Sequence, residues 1–422
     1  MNEPDSRPDN RSPAWRAAEC AARESYGKLL ALLAVRSHDV AAAEDALADA
    51  FAAALARWPS TGVPENPDAW LLTAARRRLV DVGRHQQAQD RAHAAISADL
   101  SPAITEIAEE GDMPDLRLSL MFACTHPAID PAARTPLILQ AVLGFDARRI
   151  AAAFIQSPDA IAQRLVRAKR KIRDAGIPMQ VPDVSALPER MDAVLDAIYV
   201  AFADGWGNPQ DAGMERQGLT GEAIRLARLV SGLAPREPEP LGLLALLQYV
   251  ESRRLAHRPA GGGYVPLSDQ DPAAWDRALI DEAEQMLDRA GSEGRIGRFQ
   301  LEAAIQSVHA ARRHTGTTDW PALVVLYDEL LRITGSDVVA TNRAVARAAV
   351  DGPAAGLADL EAIRAGGRVE SYQPYWAARA ELLARVGDRN AAGDAYQRAI
   401  GLSSDADVRR FLMDRRRVAS EI

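Results

Sequence analysis

Five polar or basic side chains, Gln163, Arg164, Arg167, Arg170 and Lys171, fall within one short stretch of the chain. At about 100° per residue they gather on one side of a helix. Ile161, Leu165, Ala168 and Ile172 share an apolar stripe about 60° wide on the adjoining side. Arg and Gln contact phosphates and base edges, so such a face suits double-stranded DNA. The alternative is an amphipathic helix whose charges are only solvated. The residues ahead of it favour DNA. Ala147 to Phe154 reads as a short helix, Gln156 lies in a tight turn, and Ser157-Pro158-Asp159 caps the second helix. That is the layout of a helix-turn-helix.

A second basic cluster, Arg76-Arg77-Arg78 with Arg84 behind it, follows Asn66-Pro67-Asp68. These three residues read as a helix start: a capping amide, Pro at the first helical position and an acid in the first turn. Leu72, Ala75, Leu79 and Val82 form the expected buried stripe. Thr73, Arg77, Val80 and Arg84 share a face, with Arg76 and Trp70 nearby. A Trp beside arginines can stack an unpaired base while the cations hold its phosphates. A buried anchoring Trp is the other reading. Ahead of this helix, Glu44, Asp45, Asp49 and Phe51 lie on a segment whose apolar residues recur at three- and four-residue steps. Asp45 and Asp49 are one turn apart beside an apolar ridge, which fits either a protein-docking face or a solvated one.

These helices need a frame, and the composition says which kind. The chain has 422 residues, 48% apolar and 26% charged, with only 5% aromatics. This length suggests two to four domains, and the abundance of Ala favours closely packed helices over strands. Net charge is −8. Residues 1–180 are nearly neutral, with 22 basic and 23 acidic residues, whereas the remainder holds 28 and 35. No apolar run approaches the ~20 residues that span a bilayer, and the first residues lack the pattern of a secretory signal, so no membrane partner is expected. Cys20 and Cys124 have no ligand spacing, which argues against disulfide scaffolds and structural zinc and fits a cytoplasmic location. The His residues form no HExxH, no G-x-S-x-G elbow is present, and the glycines at 261–263 are not followed by Gly-Lys-Ser/Thr. The sequence therefore predicts no enzyme: no catalytic residue, metal or cofactor.

The expected fold is all-α. Residues 1–14 read as a disordered tail, and 15–87 as a first helical domain whose opening helical pattern ends at Trp58-Pro59. Residues 88–114 read as an acidic linker rich in Glu106, Glu109, Glu110 and Asp112. Residues 115–177 form a second helical domain with continuous helical pattern from Leu116 to Leu143 before the helix-turn-helix. Residues 186–422 read as successive helix pairs. With Gln373 taken as the first position, Trp376, Ala380, Gly387, Ala392, Tyr396 and Ala399 fall on the consensus positions of the 34-residue tetratricopeptide repeat.

The order of motifs resembles the bacterial extracytoplasmic-function (ECF) sigma factors, more narrowly the subgroup with a long C-terminal tetratricopeptide-like extension. The resemblance rests on Asp45-Ala46-Leu47-Ala48-Asp49-Ala50-Phe51, on Trp70-Leu71-Leu72-Thr73, on the acidic linker and on Ala162 to Arg173. Phe122 to Ala128, Asp269-Gln270-Asp271 and Trp275 to Ile280 extend it over nearly the whole chain after residue 15. It implies two small helical sigma domains followed by a helical-repeat regulatory domain. By this resemblance, the helix with Glu44, Asp45, Asp49 and Phe51 docks on the clamp helices of core RNA polymerase. Trp70 to Arg84 would melt and hold the −10 element of promoter DNA, and Pro158 to Arg173 would read the −35 element. The extension would regulate in cis or receive a protein or small-molecule signal.

Three departures stand out. Ala48 replaces the family's usual Gln, and Val82-Gly83-Arg84-His85 replaces Arg-Leu-Arg-Arg. Phe202-Ala203-Asp204-Gly205-Trp206 stands for Phe-Asn-Glu-Gly-Tyr, leaving Asp204, Gly205 and Trp206 as regulatory candidates. The rival expectation is a helix-turn-helix transcription regulator with a repeat sensor domain that does not replace a sigma subunit.

Overall fold

The computed structural model describes residues 12–89, 115–207, 214–259, 262–366 and 369–421; at a few helix ends, 82–89 among them, only the backbone is described. The described residues are all α, with 20 helices and no strand. The chain divides into two compact units at Asp204–Gly205, with residues 214–219 going to the first.

The first unit is built around a helix that is apolar on every side. It comprises α1 (Pro13–Glu24), α2 (Tyr26–Ser37), α3 (Val40–Thr61), α4 (Pro67–Gln89), α5 (Arg117–Cys124), α6 (Pro131–Ala141), α7 (Ala147–Phe154), α8 (Pro158–Asp174) and most of α9 (Leu187–Gly207). Leu29 to Ala34 of α2 are all buried, as the middle of a helix bundle requires. α2 packs against α1, α3, α4, α5 and α6. Gly27 permits this closeness, because a Cβ there would overlap the carbonyl oxygen of Val142.

Local chemistry explains where the helices start and stop. The stretch from Trp15 to Arg57 is three helices, not one. Ser25 separates α1 from α2, and His38, at φ 54°, turns the chain between α2 and α3. The Asp39 carboxylate then accepts from the amides of Ala41 and Ala42 and caps α3. α3 runs through Pro59, where its pattern was expected to end, to Thr61. Pro59 withholds its N–H from the Leu55 carbonyl only, and Leu55 is exposed, so water can take its place. The hydroxyls of Ser60 and Thr61 donate to the Arg57 carbonyl at 2.9 and 3.0 Å, and Gly62, at φ 86°, ends the helix. α4 starts as expected: the Ala69 amide donates to the Asn66 side chain at 3.0 Å, and Pro67 opens the helix. The pattern from Leu116 to Leu143 is broken at Thr125–Asp130, and Asp130 caps α6. α1 begins at Pro13, capped by Ser12, two residues inside the stretch read as a tail. The rest of that tail, and residues 90–114 of the acidic linker, lie outside the described residues.

The second unit is a run of helices, and from residue 277 onward neighbours in sequence pack on one another. It contains most of α10 (Met214–Leu233), α11 (Pro238–Glu251), α12 (Arg254–His257), α13 (Arg277–Ser292), α14 (Arg298–Thr315), α15 (Trp320–Thr334), α16 (Asp337–Val350), α17 (Pro353–Arg364), α18 (Gln373–Arg385), α19 (Arg389–Leu402) and α20 (Ala406–Glu421). α11 is buried along almost its whole length, between α13 and α14. In α18 and α19, Tyr375, Trp376, Ala380, Ala392, Tyr396 and Ala399 are buried together, and Gly387, at φ 88°, makes the turn between the helices. Among the described residues, no helix is long and apolar enough to cross a membrane.

Candidate nucleic-acid interface

α8 sorts its residues as its sequence dictates. Ser157 accepts from the Ala160 amide at 3.2 Å, Pro158 opens the helix, and the buried residues of α8 are Ile161, Leu165, Ala168 and Ile172. Gln163, Arg167, Arg170 and Lys171 are exposed. Arg164 is half-buried: its guanidinium donates to the Gln156 side chain at 2.9 Å and to the Ala132 carbonyl at 3.3 Å. Arg164 therefore ties α8 to the turn before it and to α6, while the other four project outward. The turn itself is tight. Ile155 sits at φ 53°, an uncommon conformation for a β-branched residue, and is fully exposed.

The second basic cluster lines a groove of about 710 Å³ between α3 and α4. Trp70, Thr73, Arg76, Arg77 and Arg78 line one side, and Asp49, Ala53 and Arg57 the other. Trp70 is half-buried: it packs edge-on against the buried Trp58, ring centres 5.5 Å apart, and it lines the groove. Arg78 donates to Asp49 at 2.7 Å across the groove. Partial burial and the nearby cation of Arg36 lower the pKa of Arg76. Arg36, at the end of α2, is exposed and belongs to this basic cluster, although sequence reasoning missed it because it lies 40 positions upstream. The Arg84 side chain lies outside the described residues.

The acidic helix α3 is less open than its sequence suggests. Asp45 is exposed and Phe51 half-buried, but Asp49 is engaged by Arg78. Glu44 accepts from the ammonium of Lys169 on α8, with both side chains largely buried. Burial pushes the Glu44 carboxyl upward, an effect that Lys169 only partly offsets, and its other oxygen is buried with no hydrogen-bond partner. One turn along α8, Arg173 lies 3.8 Å from Asp39. The structure thus brings the sequence-predicted acidic face and one flank of α8 together. Lys169 was absent from the candidate residues, yet a signal existed. On the helical wheel it lies about 40° beyond the edge of the apolar stripe, on the side away from the basic face. Glu44 likewise flanks the buried stripe of α3, whereas Asp45 opposes it.

The candidates Asp204 and Trp206 belong to different units. Asp204 accepts from Arg149 of α7, whose guanidinium also lies 4.0 Å over the Phe145 ring. In the second unit, Trp206 stacks on His257 at 5.3 Å and 21°, beneath the guanidinium of Arg254 at 4.8 Å. Burial, with Arg258 and Arg253 beside it, pushes the His257 imidazole down to about 4. Among the described residues, no cluster of His, Cys, Asp or Glu could hold a metal ion.

Comparison with known proteins gives kinship without chemistry. The model of a family of unknown function, DUF6596, matches residues 190–291, from α9 through most of α13. An uncharacterized protein of Rhizobium meliloti is 38% identical over 374 residues, covering 88% of each chain. No solved structure matches. An alignment of that length must take in parts of both units, and by it the chain belongs to the same family as the Rhizobium meliloti protein.

Proposed function

We propose that this chain is a sigma-type transcription initiation factor, with two small helical sigma domains in the first unit and a tetratricopeptide-like regulatory extension. It binds core RNA polymerase, directs it to promoter DNA and contributes no catalytic residue. The observation that carries this reading is the division of α8: a fully buried apolar stripe beneath an exposed face of Gln163, Arg167, Arg170 and Lys171, set behind a tight, capped turn. A helix so placed can lie in a major groove while its cations meet the flanking phosphates. The α3–α4 groove supports a second contact, because Trp70 offers a ring and Arg76, Arg77 and Arg78 offer charge where an unpaired strand would need both. The buried small and large residues of α18 and α19, Ala380, Ala392 and Ala399 with Trp376 and Tyr396, support the repeat assignment.

The test is retention on core polymerase. The chain should co-purify with core enzyme, and Asp45→Lys with Asp49→Lys should abolish this while leaving the helical content unchanged. One observation favours the rival regulator that does not replace a sigma subunit: Glu44 and Asp49 are both engaged within the chain. Promoter DNA binding with no affinity for core polymerase would establish the rival.

A further inference from the structure

We propose that Arg253, with Gln306, His309 and Arg312 beside it, forms a binding site for the oxoanion group, carboxylate or phosphate, of a small molecule. The site lies wholly within the second unit and does not depend on the function proposed above.

Gln306, His309 and Arg312 follow one another at three-residue steps, so they share a side of α14. Arg253 meets them from the junction of α11 and α12, and α11 packs on α14. Arg253 is only 9% exposed. Its guanidinium donates to the Gln306 side chain at 2.6 Å, and its remaining N–H groups meet no acceptor among the described residues. Other well-buried arginines are matched by acids: Arg117 by Asp115, Arg258 by Asp405 and Arg313 by Asp281. No carboxylate stands against Arg253. The groups that act on its charge are Arg312 and the Tyr327 hydroxyl, and burial with Arg312 pushes its pKa down to about 10.

Arg312 adds a second cation without adding an acid. It donates to the carbonyls of Leu267, Ser268 and Gln270 at 3.0, 3.3 and 2.7 Å, and its guanidinium lies 5.2 Å from the centre of the Trp275 ring. All of these partners are neutral. Burial and the two arginines push the His309 imidazole down to about 4, so at neutral pH it carries no charge and keeps one N–H to donate. Burying a cation without a counter-charge is costly. Water can accept from the spare N–H groups of Arg253 but leaves the charge unmatched. A carboxylate or phosphate answers both needs, because two of its oxygens fit the parallel N–H groups of a guanidinium. Gln306, His309, Arg312 and Tyr327 are half-buried rather than sealed, which suits a compact group.

The test is calorimetric titration of the full chain with inorganic phosphate, glycerol phosphate and succinate, at constant ionic strength set by chloride. At least one probe should saturate a single site. Binding by the two phosphates alone identifies a phosphoryl ligand, and binding by succinate alone a carboxylate. Arg253→Met should weaken the bound probe about tenfold or more, the loss expected for hydrogen bonds to a charged group. Gln306→Glu supplies the missing counter-charge from within the chain. It should weaken the probe at least as much and should raise the urea midpoint in chloride buffer. Arg332→Ala, which removes an exposed cation elsewhere, should bind like wild type. Circular dichroism confirms that each variant folds, and Gln306→Glu decides alone if Arg253→Met does not. The bound probe should also raise the urea midpoint of wild type and leave that of Gln306→Glu unchanged. No saturable binding by any probe at millimolar concentration, wild-type affinity in Gln306→Glu, or a urea midpoint of Gln306→Glu below wild type overturns the proposal.

Discussion

Replacing Arg167 by Ala isolates one cation of the proposed DNA face. Arg167 is exposed on α8 and lies outside the buried stripe, so the substitution leaves the core intact. The exposed face carries three cations, Arg167, Arg170 and Lys171. If each neutralises one phosphate, α8 contributes about −2.7 to the slope of log affinity against log salt, at about 0.9 per phosphate. Between 50 and 200 mM salt this term alone weakens binding about 40-fold. Arg167→Ala lowers the slope contribution to about −1.8, or about 12-fold over the same range. The advantage of wild type over the variant should therefore shrink about 3.5-fold from low to high salt. The assay is promoter binding by the reconstituted polymerase complex at three salt concentrations. Equal slopes for both proteins, with unchanged discrimination among −35 sequences, would refute the assignment of this face. Arg164→Ala differs in kind, because it also cuts α8 from Gln156 and the Ala132 carbonyl.

Other perturbations test the frame. Leu165→Ala, at a site only 2% exposed, should cost about 2–5 kcal/mol in urea denaturation and weaken DNA binding through loss of the α8 seat. Gly27→Ala drives a methyl into the Val142 carbonyl and should cost about 1–3 kcal/mol by overpacking, whereas the same change at Gly221, where a Cβ meets nothing, should leave the urea midpoint near wild type or higher. His309 should make the fold acid-sensitive. Burial, with Arg253 and Arg312 nearby, pushes its pKa from 6.5 down to about 4, so the unfolded chain takes up the proton first as pH falls. Its contribution is intact above pH 6.5 and is lost progressively towards pH 4, by at most about 2 kcal/mol at pH 5. Urea midpoints at pH 7 and pH 5 should therefore diverge for wild type and diverge less for His309→Gln; equal divergence would remove His309 as the cause.

What the sequence disclosed was local. Ser157-Pro158-Asp159 and Asn66-Pro67-Asp68 start helices because their side chains satisfy amides two or three residues away. The stripe of Ile161, Leu165, Ala168 and Ile172 is a matter of helical period alone. The division of residues 15–57 into three helices was hidden, since apolar periodicity carries through Ser25 and His38 with little interruption. Pro59 misled because a proline in the last turn costs one hydrogen bond, and an exposed carbonyl can make it with water. The pairing of Glu44 with Lys169 joins residues 125 positions apart, and only tertiary packing brings them together. The same holds for Arg36 beside Arg76 and for Arg149 on Asp204.

The most direct measurement is transcription by purified core RNA polymerase, with and without this chain, from a library of genomic fragments. The account predicts new start sites only in its presence, downstream of a shared pair of sequence blocks whose upstream member loses its influence in Arg164→Ala/Arg167→Ala. Transcription no higher and no differently placed than with core enzyme alone would contradict it.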